Sequence, residues 1–293
     1  MPRELIGIIG CGDVGLRIAK RLVKHGIEKS SIIPIVRSEV SQQALIELGF
    51  MAVACDFDDT CLADSDTFAH LTSLYYLVPP QKKGERDQRS RALIEVLKKQ
   101  NSLLSKVVLI STTGVYGDCL GEQVTENTPL NPTTPRSVRR ADMEQQWRSF
   151  ADERQIIMST LRVPGIYSYS RLPKARLESQ SPIVNPDECG FTNRIHADDL
   201  AMICHSVMDL QTKSDVYNAT DGHPGKMSQY FLDVAKFLGI STPPLLSFSE
   251  AETVVTSDMM SYLRESRKID NRKLLDEFNL KLAYEDYREG IRF

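Results

Sequence analysis

Ile6-Gly7-Ile8-Ile9-Gly10-Cys11-Gly12-Asp13-Val14-Gly15-Leu16-Arg17-Ile18-Ala19-Lys20-Arg21-Leu22 is the stretch on which the fold class turns. The apolar run 5–9 reads as a strand buried on both faces, as in a parallel sheet. Gly10, Gly12 and Gly15 follow at GxGxxG spacing, and Val14, Ile18 and Leu22 then share one face of a helix. Each glycine has a physical task. Gly10 permits a tight turn, Gly12 lets backbone approach a ligand with no Cβ in the way, and Gly15 lets the helix pack against the strand. The helix start offers free N–H groups and a positive dipole end, which suit a pyrophosphate. Strand, glycines and helix in this order predict a dinucleotide-binding turn.

Alternation continues to about residue 160. Strand-like runs at 31–36, 51–55, 73–78, 106–111 and 156–161 are separated by helical patterns, clearest at 85–100 and 138–152. This predicts an α/β chain with a doubly wound, Rossmann-type parallel sheet. Pro79-Pro80 ends the fourth strand, and 114–135, with three prolines, reads as a long loop of the kind that carries function. Beyond 161 the regularity weakens, apart from helices at 197–210 and 226–238 and a short strand at 215–219. The expected organisation is a dinucleotide domain of 1–165 plus 191–222 and a small C-terminal substrate domain of 166–190 plus 223–293.

The bulk properties exclude several classes. Of 293 residues, 41% are hydrophobic and 26% charged, as in globular proteins, and the net charge of −3 gives no basic field for nucleic acid or an anionic membrane. No apolar run is long enough to cross a bilayer, and 1–5 lead directly into the first strand, so a cytoplasmic chain is expected. Cys11, Cys55, Cys61, Cys119, Cys189 and Cys204 form no CxxC pair and read as reduced thiols, with no metal site.

The second strand ends in Arg37-Ser38, with Arg37 following Gly15 by 22 residues. An acid here would bond the 2′-hydroxyl of NAD, whereas an Arg accommodates the 2′-phosphate of NADP. NADP is therefore the expected cofactor, with NAD as the alternative. Asp56, after the third strand, suits either the adenine amino group or a helix cap. Asp13, Val14, Ser38 and Pro79 complete the cofactor contacts expected from these loops.

Four later segments are similar to motifs of the extended short-chain dehydrogenases/reductases (SDRs), the sugar-nucleotide epimerases, dehydratases and their relatives. They are Ile110-Ser111-Thr112-Thr113-Gly114-Val115-Tyr116-Gly117-Asp118, Leu161-Arg162-Val163-Pro164-Gly165-Ile166-Tyr167, Arg194-Ile195-His196-Ala197-Asp198-Asp199-Leu200-Ala201 and Val216-Tyr217-Asn218-Ala219. The resemblance covers nearly the whole chain and implies a seven-stranded sheet, an NAD(P) cofactor with Pro164 beside the nicotinamide, and a small-molecule or nucleotide-linked substrate. It also implies a Ser or Thr on strand five, here Thr112, and a Tyr-x-x-x-Lys pair on the next helix. By register that pair falls on Arg136 and Arg140, and none of the ten tyrosines is followed by Lys four residues later. A guanidinium stays protonated and cannot act as a general acid or base, although Arg140 can still bond a ribose or phosphate.

The chain thus resembles an atypical branch of the family. Tyr116 is a further catalytic candidate beside Thr112, Arg136 and Arg140, with Tyr167 as another proton donor and packing as the ordinary role of both. His196 with Asp198 and Asp199 reads as a braced helix start. Arg136, Arg139 and Arg140 suit an anionic substrate or a solvated face. Two functions remain in view: an epimerase/dehydratase-like oxidoreductase with an altered site, and a non-catalytic NADP(H)-binding sensor. A homodimer is compatible with either.

Overall fold

The structure, a computed structural model, describes residues 4–58, 66–210 and 212–292; Cys61 lies outside them. The chain divides into two compact units. Unit 1 comprises 1–115, 135–162 and 200–217, and unit 2 comprises 116–134, 163–199 and 218–293. The loop 116–134, assigned on sequence to the dinucleotide domain, clusters with unit 2.

Unit 1 is built on a seven-stranded sheet. Its strands are β1 (Ile6–Ile9), β2 (Ile32–Val36), β3 (Val53–Ala54), β4 (Ser73–Tyr76), β5 (Lys106–Thr112), β6 (Ile157–Val163) and β7 (Asp215–Asn218), the last residues of β6 and β7 falling in unit 2. The order is β7-β6-β5-β4-β1-β2-β3, with β1 parallel to both β2 and β4 and β5 parallel to β4. Every residue of β1, β2 and β4 is buried, the price of helices covering both faces. The chain runs outward in opposite directions from β1 and β4, so their carboxyl ends form the crevice where open α/β sheets bind ligands.

The helices are α1 (Asp13–Lys24), α2 (Glu39–Glu47), α3 (Gln88–Lys99), α4 (Pro135–Arg154) and α5 (Ala197–Leu210). Ser38 caps α2 by accepting from Ser41 N–H at 3.3 Å, and Asp87 caps α3 by accepting from Arg89 and Ser90 N–H. The capping acid moves the start of α3 to residue 88, three beyond the sequence expectation. α4 begins earlier than its apolar pattern suggests, because Pro135 presets helical φ at its first position. Trp147 of α4 is fully buried, with its ring 5.0 Å from Tyr76 and its indole N–H donating to Ser90 Oγ at 3.0 Å. Deleting such a ring costs about 3–5 kcal/mol.

Unit 2 is assembled from short pairs. Gln123–Val124 runs parallel to Lys268–Ile269, and Gly165–Tyr167 runs parallel to Arg194–His196. The 116–134 loop is fixed by Gly117, whose φ of +69° and 2.1 Å approach of Asn131 O to its would-be Cβ admit no side chain. A core of Tyr167, Leu177, Tyr230, Phe231, Val234 and Tyr287 closes the unit. Among the described residues no helix is long and apolar enough to cross a membrane.

Candidate functional site

The turn after β1 has the form its sequence predicts. Gly10 has φ +82°, its N–H donates to Ile35 O at 2.9 Å, and Gly12 N–H donates back to Gly10 O at 2.7 Å. A Cβ at Gly10 would press on Val78 at 3.1 Å, and one at Gly15 would meet Ile8 and Cys11 at 3.2 Å. Gly12 differs: nothing lies within 4 Å of its would-be Cβ. It is the N-cap of α1 and supplies no side-chain cap. The first N–H groups of α1 therefore face open space at a positive dipole end, a cradle for an anion. Asp13, at the first helical position, has its carboxylate held by Arg17 Nε at 2.9 Å, and Val14 is buried.

Beside this turn lies a cavity of about 290 Å³ lined by Gly10, Arg37, Asp56, Phe57, Pro79 and Arg89, among others. Arg37, from the end of β2, donates through Nε to Asp56 Oδ2 at 2.8 Å. The Asp56 carboxyl is held below its usual range, chiefly by the Asp58 N–H it accepts and then by Arg37. Ser38 spends its hydroxyl on the α2 cap and on Ser41. Arg89 grips the Asp58 carboxylate with Nε and Nη2 and donates through Nη1 to Pro79 O at 2.8 Å. Sequence reasoning missed Arg89 and Asp58. Arg89 reads there as one more polar residue on α3, and only the β4–α3 chain path brings it to the crevice.

At the end of β5, the half-buried Thr112 Oγ1 accepts Gly114 N–H at 3.2 Å, which leaves its own proton to donate. α4 opens beside this turn: a Cβ at Gly114 would lie 3.5 Å from Thr112 Oγ1 and 3.9 Å from Ser137 Cβ. Arg136, half-buried, is in that first turn, and Arg140, one turn on, donates to Ile110 O at 2.9 Å. Arg139 instead reaches Gly84 O at 2.6 Å. Beneath them lies a feature not anticipated from sequence, a buried ion pair. Glu144 accepts from Arg162 Nη2 at 2.8 Å and Nε at 3.3 Å, and from the Ser111 hydroxyl. This ties α4 to β5 and β6.

Tyr116 and Pro164 belong to unit 2. Tyr116 is buried and its hydroxyl donates to Asn218 Oδ1 at 2.8 Å. Tyr167 is buried too, its hydroxyl has no hydrogen-bond partner, and burial pushes its pKa up. Its ring meets His196 edge-on at 5.1 Å. His196 Nδ1 accepts Asp198 N–H, bracing the start of α5, whereas Asp199 accepts Ala283 and Tyr284 N–H at 2.9 Å. Arg194 is half-buried, with its guanidinium 3.7 Å from the Tyr230 ring centre. Nearby Asp221 is buried, and desolvation pushes its carboxyl up to about 8. Among the described residues no His, Cys, Asp and Glu group could hold a metal ion.

The sheet order, the glycine turn and the uncapped α1 define a Rossmann-type α/β protein of dinucleotide-binding architecture. Residues 87–219 match the model of the NAD dependent epimerase/dehydratase family. The chain resembles that family over this segment, and similar solved structures span nearly its whole length. A functionally unknown conserved protein from Silicibacter pomeroyi is 25% identical, with 99% of this chain and 97% of that one covered at a TM-score of 0.83. UDP-glucose 4-epimerase from Thermotoga maritima, solved with UDP-glucose, is 16% identical over 98% and 96% at 0.78. dTDP-glucose 4,6-dehydratase from Bacillus anthracis, solved with NAD, is 16% identical over 99% and 94% at 0.76. No curated protein matches the chain.

Proposed function

We propose that unit 1 binds an NAD(P) dinucleotide and that the chain is an epimerase/dehydratase-like oxidoreductase with an altered proton-transfer site. The observation that carries this reading is the uncapped start of α1 behind the Gly10–Gly12 turn, with the space beside Gly12 empty. It fits a pyrophosphate, and the 290 Å³ cavity beside Arg37 and Asp56 fits an adenosine end. Arg37 favours NADP, because its exposed guanidinium can meet a 2′-phosphate.

A bound nicotinamide supplies hydride transfer. The chain supplies positioning. The Thr112 hydroxyl donates to a substrate oxygen, while Arg136 holds an anionic part of the substrate and moves no proton. The epimerase solved with UDP-glucose supports a nucleotide-linked substrate. Cofactor oxidation measured over sugar nucleotides, aldehydes and ketones tests the reading: turnover with one class supports it.

One observation favours a second reading, a non-catalytic NADP(H) sensor. Tyr116 and Tyr167, the tyrosines nearest the family's motifs, are both sealed from solvent. Tight NADP(H) binding with no turnover over the whole substrate panel selects that alternative.

A further inference from the structure

Parallel sheets gather helix N-termini at one end and helix C-termini at the other. In unit 1 the opposite end from the glycine turn holds a second cavity, of about 500 Å³. It opens among the first residues of β1, β4 and β5 and the last turns of α1 and α5.

Its chemistry is the reverse of the anion cradle. Glu4 and Asp209 line it, and neither has an ion-pair partner among the described residues. Asp209 lies in the last turn of α5, which contains no basic residue, so the helix dipole opposes its charge. Lys106 also lines the cavity, and its ammonium donates to Met208 O at 3.2 Å. Tyr75 also lines the cavity. It is fully buried, and its hydroxyl has no hydrogen-bond partner among the described residues. Glu4 and Asp209 both act electrostatically on that hydroxyl, and burial keeps it protonated. The rings of His25 and His205 lie 4.4 Å apart, tilted at 44°, with desolvation holding His205 toward its neutral form. Glu4 accepts the Ser73 hydroxyl at 3.3 Å, whereas a buried tyrosine hydroxyl with no partner is costly unless a ligand supplies one.

We propose that this cavity binds a small organic ammonium ion, with Glu4 and Asp209 as counter-ions and the Tyr75 oxygen accepting an N–H. No metal-holding group of side chains exists here, so the donor set suits an amine rather than a transition metal. The site is independent of the dinucleotide reading, which concerns the other end of the sheet.

The test is calorimetry of the full chain with putrescine at pH 8. Saturable one-site binding is expected, with 1,4-butanediol, the uncharged equivalent, giving none. Glu4→Gln with Asp209→Asn weakens putrescine binding about tenfold or more, and Tyr75→Phe weakens it several-fold. Thermal melts check that the variants fold; both carboxylates are at the surface, so the double variant keeps the wild-type midpoint. Absence of saturable heat up to about 10 mM putrescine, equal binding of the diol, or undiminished affinity in the double variant would overturn the proposal.

Discussion

Arg37 Nε donates to Asp56 Oδ2 at 2.8 Å, while 71% of the Arg37 side chain remains exposed. One edge of the guanidinium is fixed, and no described residue bonds its terminal nitrogens. Asp56 therefore orients Arg37 without consuming it. Arg37→Ala should cost about 1–3 kcal/mol of NADP affinity and leave NAD little changed. Paired titrations of the two cofactors check this, and equal wild-type affinities for NAD and NADP would refute the assignment.

Glu144 pairs with the buried Arg162, accepting from Nη2 at 2.8 Å and Nε at 3.3 Å. Glu144→Ala removes that buried counter-charge, so a loss of about 3–5 kcal/mol is expected. Urea unfolding measures it. A loss below about 1 kcal/mol would mean that the pair is solvated.

Asp221 gives a pH dependence with a definite sign. Its carboxyl is raised to about 8 in the folded chain, against about 3.9 unfolded. The folded state thus holds a proton that the unfolded state has lost across this window. Its contribution is complete below the unfolded value and falls away as pH rises through about 8, at up to about 1.4 kcal/mol per pH unit. Asp221→Asn should flatten the decline in stability between pH 5 and 8. Parallel slopes for wild type and variant in denaturant titrations would show that Asp221 is ionised in the fold.

Arg140 donates to Ile110 O one helical turn from Arg136, on the helix that opens beside Thr112. If loss of the tyrosine–lysine pair is what limits turnover, Arg136→Tyr with Arg140→Lys should raise NADPH oxidation about tenfold or more, within the usual range for general acid catalysis. An unchanged or lower rate would show that Arg136 serves substrate binding instead.

Much of this architecture was legible in the chain. The strand, glycines and helix of 6–22 have a local cause at each position, and so do the alternating elements that follow. The approximate boundaries of α3 and α4 reflect capping: Asp87 and Pro135 decide where these helices begin, and neither belongs to the apolar pattern. The Arg89–Asp58 grip and the Ser111–Glu144–Arg162 cluster were not legible, because their partners are 31, 33 and 18 residues apart and meet only through sheet topology. The Tyr116–Asn218 bond was not legible for the same reason, since its partners lie 102 residues apart.

The central claim is that the Gly10–Gly15 turn holds a dinucleotide pyrophosphate. Gly12→Val isolates it, because the added side chain enters empty space and leaves the fold undisturbed. Calorimetric titration of NADPH into wild type and variant of equal thermal stability is the direct measurement. The account predicts saturable one-site binding to wild type and a loss of at least about a hundredfold in the variant. NADPH bound as tightly by Gly12→Val as by wild type would contradict it.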